Sequence, residues 1–218
     1  MASVVVFGAT GLVGEALLAE LSVANQVTSI LSYGRRDPSH QCSKMRQVHG
    51  SFNALDVDLK DVQVDHCFIA LGTTIRRAGS QQAFRDVDYR MVLDAATWAK
   101  GAGAKTVALV SSVGANPNAF AFYPRVKGEV EEALKALGVP RLLIFRPGLL
   151  LGDRSEFRFG EALATPLMRV LNLALVGSTA RYRAIAADDV ARAMVRMSLN
   201  DEAAVGKVVV AEGLDFYC

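Results

Sequence analysis

Cysteine is scarce in this chain of 218 residues, and the three present, Cys42, Cys67 and Cys218, are scattered and odd in number. They form neither a disulfide framework nor a metal-ligand pattern. His40, His49 and His66 do not complete a zinc spacing with them, so no metal is expected. A reduced, cytoplasmic setting is the simplest expectation. No uninterrupted apolar stretch approaches the length of a membrane span, so no membrane is expected. The chain enters a strand within its first residues, so no signal peptide is expected. An excess of one charge is also lacking. The 24 Lys and Arg against 22 Asp and Glu leave a net +2, too little to argue for nucleic acid or an anionic surface as partner. Internal repeats, low-complexity tracts and interdomain linkers are absent. What is left, 51% apolar and 21% charged, is ordinary globular composition. At this length one domain over residues 1–218 is expected.

Apolar runs and helical periodicities alternate along the chain. Strands are predicted at about 3–7, 27–33, 45–48, 66–71, 107–110, 142–145 and 207–211. Helices are predicted from Leu12 to Leu21, over about 84–100, from Pro124 to about Leu137, over 162–176 and over 188–198. In the helix over 84–100, Val87, Met91, Val92, Ala95 and Ala99 are expected inward and Asp88 on the surface, with help in organising a proton path as the alternative for Asp88. The alternation predicts an α/β fold, a doubly wound Rossmann-like parallel sheet with helices on both faces. A short segment of about 153–185 would lie on the substrate side, with Phe120, Phe122 and Tyr182 as further pocket-lining positions and Phe157 and Phe159 open between pocket and core.

The most informative feature is Gly8-Ala9-Thr10-Gly11-Leu12-Val13-Gly14, directly behind the apolar run Val4-Val5-Val6-Phe7. A strand, a glycine turn and a helix start are the context a phosphate-binding turn requires. Small residues admit the phosphate to the backbone, and the helix N-terminus offers free N–H groups. A second constellation is Tyr123 and Lys127, one helical turn apart on one face. A cation beside a phenol favours the phenolate, so the phenol becomes usable as an acid or base. The pair follows Ser111-Ser112 at the end of a predicted central strand. Gly8–Gly14, Arg35-Arg36, Leu71-Gly72-Thr73, Ser111-Ser112 and Pro147-Gly148 all fall at strand ends, where open α/β sheets bind ligands.

These segments resemble the short-chain dehydrogenase/reductase superfamily in its atypical group. More narrowly, the chain is similar to its Tat-interacting-protein-like branch, which includes bacterial relatives. Gly34-Arg35-Arg36, Leu71-Gly72-Thr73-Thr74, Ser111-Ser112-Val113-Gly114-Ala115, the stretch Tyr123-Pro124-Arg125-Val126-Lys127-Gly128-Glu129-Val130-Glu131 and Phe145-Arg146-Pro147-Gly148 carry the likeness. It runs from Val4 to about Asp153.

The resemblance implies a bound nicotinamide cofactor, with Gly8, Thr10, Gly11, Leu12, Val13 and Gly14 about the pyrophosphate. Leu71, Gly72 and Thr73 would pass the adenosine side, and Pro147, Gly148 and Leu149 the nicotinamide. Ser51 would substitute for the aspartate common at the adenine in the family. The acidic residue that would hold a ribose 2′-hydroxyl is missing after strand two. Arg35 or Arg36 can pair with a 2′-phosphate instead, so NADP (as NADPH) is favoured over NAD. The implied reaction is that of an oxidoreductase, with hydride transfer to or from a small carbonyl or alcohol substrate. Tyr123 would be the general acid/base, Lys127 would assist it and bind the nicotinamide ribose, and Ser112 or Ser111 would hydrogen-bond the carbonyl oxygen. A regulator that binds NADP(H) without turnover, working through a protein partner or a homodimer, is the alternative. A sugar-nucleotide epimerase or dehydratase is a third reading, although little chain follows Gly152 to build a large substrate domain.

Overall fold

The computed structural model describes residues 1–151, 181–200 and 206–217. The expected helix over 162–176, Phe157, Phe159, Cys218 and most of the substrate-side segment lie outside the described residues. The chain opens with β1 (Ala2–Phe7), α1 (Leu12–Val23), β2 (Val27–Gly34) and β3 (Met45–His49). A short α2 (Leu55–Asp58) leads to β4 (His66–Ile69). Then come α3 (Ile75–Ala78), α4 (Gln81–Arg85), a π-helical turn (Asp86–Met91) and α5 (Val92–Gly101). The rest is β5 (Thr106–Val110), α6 (Phe122–Leu137), β6 (Arg141–Arg146), β7 (Leu150–Leu151), β8 (Ile185–Ala186), α7 (Ala187–Leu199) and β9 (Lys207–Glu212).

Seven strands form one parallel sheet in the order β3-β2-β1-β4-β5-β6-β9. The run Val4-Val5-Val6-Phe7 is at most 1% exposed along its whole length, as expected of a strand with both faces covered. Its residues alternate between two cores. Val4 and Val6 pack with α1 and α7, while Val5 and Phe7 pack with α2, α5 and α6. The Rossmann-like sheet predicted from the sequence is therefore the one observed. Every connection leaves a strand at the same edge, so the turns after β1, β2, β4, β5 and β6 share one rim. The order reverses between β1 and β4, the switch point where such sheets open a crevice.

The predicted helix over 84–100 is not regular. Its first half is a π-helical turn, Asp86–Met91, between two α-helical pieces. Val87 and Met91 are only half-buried, whereas Asp88 is fully buried. The expectation that Asp88 lies on the surface is thus overturned. Phe84, Asp88 and Val92 are spaced by four and share the inward face, and all three are 0% exposed. The π turn also places an irregularity beside the strand-end rim, a common location for such turns.

Candidate functional site

The rim begins with the glycine turn. Gly8 has φ +84°, and a Cβ there would lie 2.5 Å from the Ala70 carbonyl oxygen at the end of neighbouring β4. A Cβ on Gly14 would collide with the Gly8 carbonyl oxygen, so α1 packs directly on the turn. Gly11 is the N-cap of α1 and provides no side-chain cap. The first N–H groups of the helix are therefore left for another acceptor. Thr10 is exposed, Leu12 is half-buried and Val13 is in the core. A cradle kept open at Gly8 and Gly14, beneath an uncapped helix start, fits the pyrophosphate of a dinucleotide.

Beyond β2, Arg35 and Arg36 are exposed, and among the described residues neither side chain forms an ion pair. Asp37 pairs with His49 at 3.2 Å. Ser51 is also exposed, and its carbonyl accepts a hydrogen bond from the Tyr33 hydroxyl at 2.8 Å. That hydroxyl shares its single proton with Asp58 Oδ2, 2.6 Å away. Burial first, and then the Asp58 carboxylate, push the Tyr33 phenol up.

At the other end of the rim stands α6. Pro124 sits in its first turn, where a missing N–H costs little, and Gly138 closes it in the left-handed region at φ +67°. A Cβ on Gly128 would collide with the backbone at Asn116 and Pro117. The loop after β5 is thereby seated on the helix, next to Lys127. Tyr123 is 37% exposed, with its ring centroid 5.6 Å from that of Phe84 and the two rings tilted. Lys127 is 4% exposed, and its Nζ lies 2.7 Å from Asp88 Oδ1. The other Asp88 oxygen accepts the Thr73 N–H at 2.9 Å. One carboxylate thus ties the loop after β4 to the lysine of α6, and Gly72 passes both: a Cβ there would be 3.5 Å from Asp88 and 3.9 Å from Lys127. Burial alone would pull the Lys127 ammonium down. The charges of Asp88, Tyr123 and Glu131 outweigh it and hold Lys127 above its ordinary value.

The two serines part company. Ser111 is buried and donates to Glu131 Oε1. Glu131 also takes a two-pronged contact from Arg146, which reaches Glu212 at 2.8 Å. Hydrogen bonding to Glu131 first, and then to Glu212, holds the Arg146 guanidinium above its ordinary value. Ser112 is half-buried, and its hydroxyl makes a long 3.3 Å contact to the Val113 carbonyl. Pro147 is buried and accepts from Val113 N–H at 3.0 Å. Gly148 passes so close to Arg183 and Tyr182 that a side chain would not fit. Leu149 is 53% exposed, with its carbonyl bonded to Ile185 N–H. Phe122 meets Phe84 edge to face, and Phe120 projects fully into solvent.

Sequence reasoning missed Glu131 and the packing role of Gly128, and it weighed Asp88 for a proton path but preferred a surface position. Glu131 had a signal, because it stands one further turn from Lys127 on the same face. Asp88 had one too, four residues from Phe84 and from Val92.

A family model described as NAD dependent epimerase/dehydratase family matches residues 4–211. The chain belongs to that family. Protein FMP52, mitochondrial, from Meyerozyma guilliermondii is 39% identical over 152 residues, which is 69% of this chain and 66% of that protein. The chain thus spans about two thirds of that relative's length. Protein HTATIP2 from Rattus norvegicus is 40% identical over 166 residues, 74% of this chain and 68% of that protein. Among solved structures, a UDP-glucuronic acid 4-epimerase from Bacillus cereus in complex with UDP-glucuronic acid and NAD superposes with a TM-score of 0.71. That match has 15% identity and covers 98% of this chain and 80% of that one; at such identity the likeness concerns the fold. The expectation of a cytoplasmic setting is contradicted, because several fungal relatives carry mitochondrial in their names. Sparse, unpaired thiols suit any reducing compartment, so cysteine usage cannot separate the two.

Proposed function

We propose that this protein is an NADP-dependent oxidoreductase acting on a small carbonyl or alcohol substrate. One observation carries the reading: a half-exposed phenol, Tyr123, stands one helical turn from a buried, charged lysine, at the rim that also holds the glycine cradle. When bound, the nicotinamide cofactor supplies a hydride donor or acceptor. The chain's own residues do the rest. The uncapped start of α1, with Gly8, Thr10, Gly11, Leu12, Val13 and Gly14, holds the pyrophosphate. Arg35 and Arg36 offer guanidinium forks to a 2′-phosphate, and Ser51 borders the adenine. Leu71, Gly72 and Thr73 pass the adenosine side, and Pro147, Gly148 and Leu149 border the nicotinamide.

Tyr123 gives its phenolic proton to the substrate oxygen in reduction and takes it back in oxidation. Ser112 donates a hydrogen bond to the same oxygen, stabilising its developing charge. Of the two serines it is the better placed, because the Ser111 hydroxyl is committed to Glu131. Lys127 is held in its charged form by Asp88. It offers a fixed cation near the phenol and a donor for a ribose hydroxyl.

The test is NADPH oxidation across a panel of small aldehydes and ketones, with wild type and Tyr123→Phe side by side. Wild-type turnover, lost in the variant with NADPH affinity retained, is expected. Undiminished turnover in Tyr123→Phe removes the phenol from the mechanism.

A further inference from the structure

The loop that carries Arg35 and Arg36 is fastened to α1 by one side chain. Glu15, in the first turn of that helix, accepts the Ser39 N–H at 2.6 Å on Oε1 and the His40 N–H at 2.9 Å on Oε2. Two consecutive backbone donors on the two oxygens of one carboxylate make a charge-assisted, bidentate clamp. The remaining anchors of the loop are weaker or local. Pro38 is buried, and Gln41 Nε2 bonds back to the Pro38 carbonyl at 2.9 Å. The one acid inside the arginine stretch, Asp37, is engaged by His49. Both carboxylates near the end of β2 are therefore spoken for. Arg35 and Arg36 remain exposed, and among the described residues they have no ionic partner.

We propose that Glu15 is a positioning residue for recognition of a 2′-phosphate. It fixes the loop between β2 and β3 against α1, so that the two guanidinium groups are presented beside the helix start that takes the pyrophosphate. The inference rests on the NADP reading above. A carboxylate beside a phosphate site invites the opposite reading, in which Glu15 repels the 2′-phosphate and disfavours NADPH. The geometry speaks against it: both oxygens are turned onto loop amides, and the positive end of α1 further offsets the charge. The clamp also differs from a general structural role. The buried faces of α1 and β2 lie elsewhere, so removing it releases the loop and leaves the sheet intact.

The experiment titrates NADPH and NADH separately against wild type, Glu15→Gln, Glu15→Ala and an Arg35→Ala/Arg36→Ala double variant. Amide hydrogen exchange is followed at Ser39 and His40. Wild type should prefer NADPH. Glu15→Ala should weaken NADPH about tenfold with NADH little changed, and should lose exchange protection at both amides. Glu15→Gln keeps a single acceptor oxygen and should fall between. NADH binding is the internal control for folding, and the glutamine variant carries the test if the alanine variant is unstable. A wild type that binds the two cofactors equally overturns the NADP reading, and the proposal with it. A wild type that prefers NADPH beside a Glu15→Ala that keeps or increases that preference overturns the role of Glu15 alone.

Discussion

The two ends of the rim are built from opposite materials. At the β1–β2 end the work falls to backbone: a glycine turn, an uncapped helix start and a loop bearing two exposed arginines that have no ion pair among the described residues. At the β4–β5–β6 end it falls to buried charge. Asp88 and Lys127 pair at 2.7 Å with almost no exposure, and Ser111, Glu131, Arg146 and Glu212 form a second network beneath them. A site that only grips an anion can be assembled from N–H groups and small residues. A site that must hold a proton donor in one place needs side chains whose own charges are fixed, and burial fixes them only if each is paired. The asymmetry suits the oxidoreductase proposed above, and it predicts different failures at the two ends.

The largest effect is expected from Asp88→Ala. It leaves the Lys127 ammonium buried without its partner and frees the Thr73 N–H, which should cost about 3–5 kcal/mol of stability. Chemical denaturation measures it, and a loss below about 1 kcal/mol would mean that the pair behaves like a surface one. The pH dependence has a definite sign. Lys127 is raised above its ordinary value of 10.5, so its contribution is complete below that pH and is lost only as pH rises beyond it. Next comes Gly14→Ala. Its Cβ meets backbone with no flexible neighbour to yield, so about 3 kcal/mol of stability and NADPH binding should be lost together in a melting and titration series.

Smaller is the Arg35→Ala/Arg36→Ala pair, expected to weaken NADPH about tenfold with stability unchanged, because exposed arginines support nothing beneath them. The smallest effect serves as a control at the opposite edge of the sheet. Asp65 accepts hydrogen bonds from the Ser3 backbone and hydroxyl and faces Lys105 at 2.9 Å. The Ser3 N–H, with help from Lys105, outweighs partial burial and lowers its carboxyl from 3.8 to about 2. Its modest contribution is therefore present above pH 3.8 and lost as pH falls toward 2. Asp65→Asn should flatten that acid limb of the stability curve without touching NADPH affinity.

The same contrast explains what could be read from the sequence. Gly8–Gly14 announces itself because its requirements are local: positive φ, close approach and a helix start lie within seven consecutive residues. The strands are legible for the same reason, since Val4 to Phe7 carry their burial in composition. Asp88 is not, because its partners, Thr73 and Lys127, lie 15 and 39 positions away in the chain. A lone aspartate in a helix reads as solvated until the face it occupies is counted from Phe84 and Val92. The π turn has no composition signal and distorts the periodicity that would have placed it. Ser111 and Ser112 are chemically identical neighbours. Only the arrival of Glu131 from α6 separates a structural hydroxyl from an available one. Likewise, Glu15 looks like an ordinary first-turn acid until the loop after β2 folds back onto it.

The central claim is that gripping and proton transfer are separable along one rim. It is tested most directly by measuring NADPH affinity and saturated turnover together for wild type, Tyr123→Phe and Arg35→Ala/Arg36→Ala. The account predicts that Tyr123→Phe loses at least about a hundredfold in kcat with NADPH affinity unchanged, and that the arginine pair loses affinity with kcat at saturating NADPH retained. Full turnover in Tyr123→Phe, or unaltered NADPH affinity without both arginines, would contradict it.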